Sequence, residues 1–288
     1  MSIDILQEKI RKTKNPSVLE LALSVSDLPP QFTQNAEGYA SFCRELMEAM
    51  QGNLAAVRVS FASFVLLGHD GLYHLSETLK KAAEMGYYVL LDAPEILSPA
   101  SAKNTAASVW GAESAYPCDG LVISGYLGSD VIKPFLPYCK KEKKDLFVVA
   151  RTANKSAPEL QDLLAGTRLV HMAAADHVNR YGADTAGKSG YTNVGILAAA
   201  SSAESLRSLR VKYPRLFLLV DGYDYPNANA KNCSNAFDKF GHGAAVCGNT
   251  GITCAWKTAE SDGADYLDHA KAAAERMKKN LTRYVTVL

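Results

Sequence analysis

The sequence predicts a (β/α)8 barrel, the TIM-barrel class of the α/β folds. Eight short apolar runs alternate with longer segments of helical period, and continuous apolarity is typical of parallel strands covered on both faces. The 288 residues are close to the roughly 250 that such a barrel uses. An open doubly wound sheet would need a glycine-rich turn after its first strand, whereas residues 24–30 read SVSDLPP. We therefore expect a single barrel domain over residues 1–288.

The individual elements follow from hydrophobic periodicity. The predicted strands are 17–23, 54–59, 87–92, 120–124, 146–150, 194–200, 216–221 and 244–247. Between the second and third strands, Leu72, Leu75, Leu79 and Ala82 fall on one helical stripe. An alanine-rich helix is predicted over 100–110, and a closing amphipathic helix over 265–283 presents Tyr266, Ala270, Ala273, Ala274 and Met277.

Composition excludes several function classes. The net charge is +1, which provides no electrostatic footprint for nucleic acid or an anionic membrane surface. The six cysteines show no C-x-x-C spacing and lie among apolar residues, which indicates buried thiols in a reducing compartment. Residues 1–14 lack the apolar centre of a signal peptide, and no run approaches the ~20 apolar residues of a membrane helix. We expect a cytoplasmic protein without nucleic-acid or membrane partners.

Candidate site residues lie where the predicted strands end, because active sites of this fold occupy the loops that follow the strands. Polar residues at these ends are Glu20, Arg58, Ser60, Asp92, Glu95, Tyr126, Arg151, Thr152, Asn154, Ser201, Asp221, Asp224, Asn249 and Thr250. A purely structural interpretation is that Arg58 and Arg151 pair with Asp92 or Asp221 inside the barrel. Asp221, Asp224 and His242 also suggest a metal site, but their separation over several loops favours ordinary surface carboxylates and no metal.

A nucleotide-binding pattern at residues 182–189, GADTAGKS, is rejected on its context. A G-x-x-x-x-G-K-[ST] loop binds phosphates when it follows a strand and opens a helix. Here a predicted helix over 169–181 precedes the match, and a predicted strand at 194–200 follows it. The match is therefore expected to be a helix-to-strand loop on the barrel face opposite the active site.

Several stretches, taken in order, resemble one enzyme family. They are 56–64 (AVRVSFASF), 89–93 (VLLDA), 126–130 (YLGSD), 147–154 (FVVARTAN) and 161–163 (QDL). Over nearly the whole chain they resemble the longer, bacterial-type form of orotidine 5′-phosphate decarboxylase. This resemblance implies a barrel of the ribulose-phosphate-binding type, cofactor-free conversion of orotidine monophosphate (OMP) to UMP in pyrimidine biosynthesis, and a homodimer formed through the active-site face.

The catalytic motif of that family is altered in this sequence. The family centres its chemistry on a D-x-K-x-x-D motif after the third strand, where the lysine protonates the carbanion left by decarboxylation. Asp92 matches the first aspartate, but Pro94 and Leu97 stand at the lysine and second aspartate positions. The strand-two lysine aligns with Arg58, which keeps the charge but not the compact ammonium group.

The positions that contact substrate in the family also differ. The strand-one aspartate aligns with Ala22, although Glu20 lies two residues away on the same strand face. A serine of the strand-five motif is replaced by Ala153, while Thr152 and Asn154 are retained. The glycine-rich phosphate loop is replaced by residues 221–228 (DGYDYPNA), and the arginine that would hold the phosphate aligns with Thr250.

Three functions remain open on this reasoning. The first is a divergent barrel that has lost OMP decarboxylation and binds or acts on another small molecule, with Arg58, Asp92 and Glu95 as candidate catalytic residues. Carboxylates around arginines suit general acid–base work, or a cationic or polyhydroxylated ligand. The second is a genuine OMP decarboxylase with unusual catalytic residues. The third is a non-catalytic pseudoenzyme subunit that pairs with an active enzyme.

Overall fold

The computed structural model describes residues 2–92 and 96–288. Within these residues, eight parallel strands close into a barrel in chain order, because the first strand pairs with both the second and the last. The strands are β1 (Ser17–Leu21), β2 (Ala56–Ser60), β3 (Tyr88–Asp92), β4 (Gly120–Ser124), β5 (Asp145–Val149), β6 (Thr192–Ala199), β7 (Leu216–Asp221) and β8 (Ala244–Gly248). The predicted fold class is confirmed, and each strand overlaps the apolar run that predicted it.

Helices and short turns surround this barrel. The helices are α1 (Ser2–Thr13), α2 (Ala36–Met50), α3 (Phe61–Val65), α4 (Gly68–Glu84), α5 (Pro99–Trp110), α6 (Ser129–Ile132), α7 (Leu136–Lys141), α8 (Val170–Gly182), α9 (Ala203–Lys212), α10 (Ala230–Ser234), α11 (Thr250–Thr253), α12 (Ala255–Thr258) and α13 (Tyr266–Thr282). Short 3-10 turns occupy Val25–Asp27, Lys133–Phe135 and Ala157–Glu159, and a small antiparallel hairpin joins Leu164–Ala165 to Arg168–Leu169.

The helices bury the stripes that the sequence predicts. In α4, Leu75, Leu79 and Ala82 are fully buried, so the apolar side of that helix packs on the barrel. In α13 the predicted residues are buried as well. The α5 helix begins sharply because the Ser98 and Ser101 side chains each accept from the other residue's backbone N–H, and Pro99 occupies its first turn.

The first helix covers the end of the barrel opposite the strand C-termini. Ile3, Leu6 and Ile10 of α1 are buried, and the Asp4 carboxylate accepts hydrogen bonds from the backbone N–H groups of Lys188 and Ser189 at 3.0 and 2.8 Å. The loop 182–189 therefore joins α8 to β6 on that opposite face, as its context predicted.

Two further expectations can be compared with the structure. All six cysteines are buried and unpaired, which agrees with the thiols predicted from their spacing. Among the described residues, the helices are all too short or too polar to cross a bilayer.

Candidate ligand site at the mouth of the barrel

Arg58 forms the charged centre of the site. Strand register places it opposite Glu20 of β1, and its side chain points into the barrel beneath the strand C-termini. Its Nε and one terminal nitrogen donate to the two oxygens of Asp92 at 2.7 and 3.1 Å. The other terminal nitrogen lies 2.5 Å from Asp221 Oδ1 and 3.2 Å from Glu20 Oε1. One buried guanidinium thus contacts three carboxylates.

This arrangement leaves negative charge in excess. Burial, opposed by Arg58 and assisted by Asp221 and Asp92, raises the pKa of Glu20 to about 8. Burial likewise raises the pKa of Asp92. Burial alone would lower the pKa of Arg58, but the three carboxylates outweigh it and hold that pKa above its usual value. Arg58 therefore remains a cation, and a proton on Glu20 relieves part of the repulsion.

A cavity of about 480 Å³ opens above this cluster. It is lined by Glu20, Ala22, Asp221, Gly222, Tyr223, Asp224, Tyr225, Pro226, Cys247, Asn249 and Thr250. None of these described lining residues is a lysine or an arginine. Because the residues come from β1, from the loop after β7 and from the end of β8, the cavity lies at the mouth of the barrel, where this fold places its ligands.

The carboxylate of Asp224 accepts hydrogen bonds from backbone N–H groups at one end of the cavity. Its Oδ2 accepts from the N–H of Asn249 at 2.6 Å, and the N–H of Gly251 also donates to this carboxylate. A Cβ atom on residue 251 would lie 2.3 Å from Asp224 Oδ1, so the contact requires glycine there. The Asn249 side chain donates to the Ala22 carbonyl at 3.1 Å and so ties the ends of β8 and β1 together.

A second polar cluster follows β5 and stands apart from the cavity lining. Arg151 donates to both oxygens of Asp162 at 2.9 Å, so the expected pairing of Arg151 with Asp92 or Asp221 is wrong. The buried His171 places Nδ1 3.2 Å from the same carboxylate. Arg151 is the main cause that lowers the pKa of Asp162. The cluster fixes the conformation of the loop after β5.

The structure separates the described candidate residues into three groups. Those that line the cavity are Glu20, Asp221, Asp224, Asn249 and Thr250. Arg58 and Asp92 lie beneath it, and Glu95 lies outside the described residues. Others make local contacts: Ser60 caps α3, Tyr126 donates to the Ala150 carbonyl, and Thr152 and Asn154 bond to each other in the Arg151 loop.

Some lining residues were missed by the sequence reasoning. Tyr223, Tyr225 and Pro226 follow β7 and form a wall of the cavity, although the same argument about strand ends would have included them. Cys247 was assigned only to the core, because a thiol in an apolar strand provides no signal of a site. It is fully buried, and burial raises its pKa well above the usual value.

The metal site considered for Asp221, Asp224 and His242 is not assembled. His242 precedes β8 at the opposite end of the barrel and bonds to the Leu288 carbonyl at 2.8 Å. A different group, Glu20, Asp221 and Cys247, places its potential ligand atoms within 4.8 Å of one another. The Arg58 guanidinium already pairs with both of its carboxylates, which disfavours a divalent ion there.

A closed parallel barrel with a charged cavity at the carboxyl ends of its strands places this chain in the class of (β/α)8 barrels, a fold whose ligand sites lie at this face. Solved structures share this fold. Leishmania donovani OMP decarboxylase superposes with a TM-score of 0.75 at 24% identity, covering 98% of both chains. Plasmodium berghei orotidine 5′-monophosphate decarboxylase gives 0.75 at 13% identity, again over 98% of both.

Sequence comparison narrows the class to one family. The chain is 30% identical over 254 residues to orotidine 5′-phosphate decarboxylase of Rhodopirellula baltica, covering 85% of this chain and 84% of that protein. It is 26% identical over 286 residues to the Clostridium novyi protein of the same name, covering 98% of each. No family model matches the sequence. On these relatives, the chain belongs to the orotidine 5′-phosphate decarboxylase family.

Proposed function

We propose that this member of the family has lost OMP decarboxylation and that its mouth cavity takes a small molecule without a phosphate group. The observation that carries the proposal is the position of Asp224. Its carboxylate accepts from the N–H groups of Asn249 and Gly251, which follow β8. In the family that this sequence resembles, the phosphate-binding arginine belongs to this segment and aligns with Thr250. An internal carboxylate therefore takes the donors that a phosphate would need.

Electrostatics support the same conclusion. The substrate OMP carries a phosphate and a carboxylate, and both would approach Asp221 and Asp224 in a cavity whose described lining has no basic side chain. Arg58 offers no compensation, because its donors already face Asp92, Asp221 and Glu20. Two unit charges about 4 Å apart interact by roughly 4 kcal/mol near a protein surface, so each like-charge contact would weaken binding strongly.

The sequence supports the proposal as well, because the lysine that protonates the product in the family is replaced. Pro94 stands at the lysine position of the family motif, and proline carries no proton to donate. Lys103 lies nine residues beyond Pro94, on the exposed side of α5. A preorganised cation where charge develops is commonly worth several kcal/mol of transition-state stabilisation, so its loss would abolish efficient turnover.

The competing candidate is a genuine OMP decarboxylase with unusual residues. It is favoured by the relatives, which carry that name at 26–30% identity over most of the chain. Asp92 is also retained, and it is held beside a cation by two hydrogen bonds. A cation at position 58 provides some of the charge that the strand-two lysine of the family would supply.

The two candidates make opposite predictions for UMP formation. We expect purified protein to form no UMP from OMP above background, while the Rhodopirellula baltica relative assayed in parallel is active. UMP and ribose 5-phosphate should also leave the melting temperature unchanged, since a ligand of the native state would raise it. UMP formation that disappears in an Asp92→Asn variant, or rescue of a uracil auxotroph, would establish the decarboxylase instead.

A further inference from the structure

A second cavity lies on the outside of the barrel, between α8 and α9. Its volume is about 490 Å³, and it is bounded by the loop after β5, the start of α8 and the length of α9. This volume is in the range of small-molecule sites. Among the described residues, the cavity shares no lining residue with the one at the mouth of the barrel. It is therefore a separate candidate site.

His171 presents one ring nitrogen to this cavity. The residue is only 1% exposed, and it lines the cavity. Nδ1 lies 3.0 Å from the Gln161 carbonyl oxygen and 3.2 Å from Asp162 Oδ1. Both neighbours are acceptors, so Nδ1 carries the hydrogen and the neutral ring has its lone pair on Nε2. Within residues 2–92 and 96–288, Nε2 has no hydrogen-bond partner, and it is the nitrogen left to face the cavity.

This lone pair is held in a fixed position. The Asp162 carboxylate that orients the ring is itself bound by Arg151, through two hydrogen bonds of 2.9 Å. A nearly buried acceptor without a donor is costly, so a donor from outside the chain would stabilise Nε2. Because the acceptor is oriented before a ligand arrives, binding does not have to order it.

Hydroxyl groups line the α9 side of the cavity. Ser202, Ser205 and Ser208 recur every third residue and so lie along one side of the helix. Ser202 Oγ donates to Ser205 Oγ at 2.8 Å, which leaves the Ser205 hydroxyl hydrogen without an acceptor among the described residues. Leu169 and Met172 add apolar surface to the same cavity. This lining matches a ligand that has several hydroxyl groups on a carbon skeleton.

The charges around the cavity favour an uncharged ligand. The Asp162 carboxylate is held in the ion pair described above. Arg168 and Lys212 both pair with Asp176, and Lys212 Nζ lies 3.1 Å from Asp176 Oδ1. Glu204 is exposed in the first turn of α9, where the helix dipole stabilises a carboxylate. A charged ligand would have to compete with these contacts, whereas a neutral one would not.

We propose that the cavity between α8 and α9 binds an uncharged polyol of about the size of a monosaccharide. One hydroxyl of the ligand donates to His171 Nε2, the serine hydroxyls of α9 bond the others, and Met172 packs against the carbon skeleton. This inference goes beyond the proposed function, because it concerns a separate cavity and holds whether or not the protein decarboxylates OMP.

Heteronuclear NMR of the histidine ring nitrogens tests the contact directly. Addition of myo-inositol or D-glucose should move the His171 Nε2 resonance upfield in a saturable way, because a donated hydrogen bond engages the lone pair. His177, exposed on the same helix, is the internal control and should not respond. If neither polyol moves the His171 resonance, the proposal is wrong. A response to inorganic phosphate but to neither polyol would overturn it in favour of an anion site.

Variants locate the polyol, with affinity measured by isothermal titration calorimetry. His171→Asn keeps a short amide donor for Asp162 but has no Nε2, and it should weaken binding about tenfold or more. Ser208→Ala removes an exposed hydroxyl without threatening the fold and should weaken binding about threefold. Ser41→Ala, a helix serine on α2, is the matched control and should leave the affinity unchanged. Unchanged affinity in both His171→Asn and Ser208→Ala would place the polyol elsewhere and contradict the proposal.

Discussion

The guanidinium of Arg58 stabilises carboxylates that would otherwise be buried without a counter-charge. Its side chain is 8% exposed, and those of Glu20, Asp92 and Asp221 are at most about a quarter exposed. Removing one partner from a buried charge cluster commonly costs about 3 to 5 kcal/mol, because the remaining charges cannot reach water. At this position the side chain therefore supports the fold as well as the site.

We predict that Arg58→Met lowers the free energy of unfolding by about 3 kcal/mol at neutral pH. The pKa values of Glu20 and Asp92 are raised in the folded protein. Such acids do not destabilise the fold at a pH below their unfolded pKa, and their destabilisation grows as the pH rises toward the folded pKa. Loss of Arg58 raises those pKa values further, so the difference from wild type should shrink between about pH 7.5 and about pH 5. Urea denaturation at both pH values measures it.

Arg58→Lys is the matched variant for that prediction. It keeps the positive charge but loses the planar guanidinium that donates two hydrogen bonds to Asp92. It should fall between wild type and Arg58→Met at neutral pH. A loss of stability in Arg58→Met that is the same at both pH values would contradict the charge argument and point to packing alone.

Individual contacts were only partly predictable from the sequence. The structural interpretation of the sequence paired Arg58 with Asp92 or Asp221, and in the structure it pairs with both, because strand ends converge in a barrel. Arg151 was assigned the same partners and instead bonds Asp162. Asp162 belongs to an irregular loop, whose path depends on turn geometry and long-range contacts that periodicity does not encode.

At the scale of elements, the loop 182–189 shows why a pattern needs its context. Its backbone N–H groups do surround an anion, but the anion is Asp4 of α1. A Cβ atom on Gly187 would lie 2.3 Å from Asp4 Oδ1, so the second glycine of the pattern serves this internal contact. The order of helix and strand was readable from the sequence, whereas a partner about 180 residues away was not.

We predict that Asp4→Asn lowers the free energy of unfolding by about 1 kcal/mol at neutral pH. This is less than the contribution of a fully buried hydrogen bond to a charged group, because Asp4 is partly exposed. The Ser189 hydroxyl and the Lys188 and Ser189 N–H groups outweigh burial and lower the pKa of Asp4 to about 2. An acid with a lowered folded pKa stabilises above its unfolded pKa and loses that effect as pH falls through the folded value.

The loss of unfolding free energy in Asp4→Asn, relative to wild type, should therefore be greatest above about pH 5 and should vanish near pH 2. Thermal or urea unfolding across this range measures it. Ser189→Ala is the matched control: it removes a single donor to Asp4 and should show a smaller loss with the same pH trend. An Asp4→Asn penalty that persists unchanged at pH 2 would mean that the carboxylate charge has no role in the contact.

For the molecule as a whole, the barrel was predictable because closure follows from repeated strands, each buried on both faces. Strand ends agreed to within about two residues, as expected when burial rather than capping defines them. The mouth was less predictable. Its wall comes from the loop after β7, where Tyr223 and Tyr225 lie within the segment that replaces the glycine-rich loop of the family, so the resemblance did not indicate their role.

Exposed leucines surround the mouth of the barrel. Leu66, Leu97 and Leu127 follow β2, β3 and β4, and they are 70%, 70% and 54% exposed. Apolar side chains grouped on one face are typical of protein interfaces. The family resemblance implies a homodimer through this face, and Leu97 stands where the family motif has an aspartate. We therefore propose that these leucines are buried between two copies of the chain.

We predict that the wild-type protein is a homodimer in size-exclusion chromatography with light scattering, and that Leu97→Lys combined with Leu127→Lys shifts it to monomer. Burying a leucine contributes about 1.5 to 3 kcal/mol, and a symmetric interface uses each leucine twice, so the dimer should weaken by more than about a hundredfold. Val211→Lys on α9, at 75% exposed, is the matched control and should leave the dimer intact. A monomeric wild type, or dissociation by the control as well, would contradict an interface at the mouth.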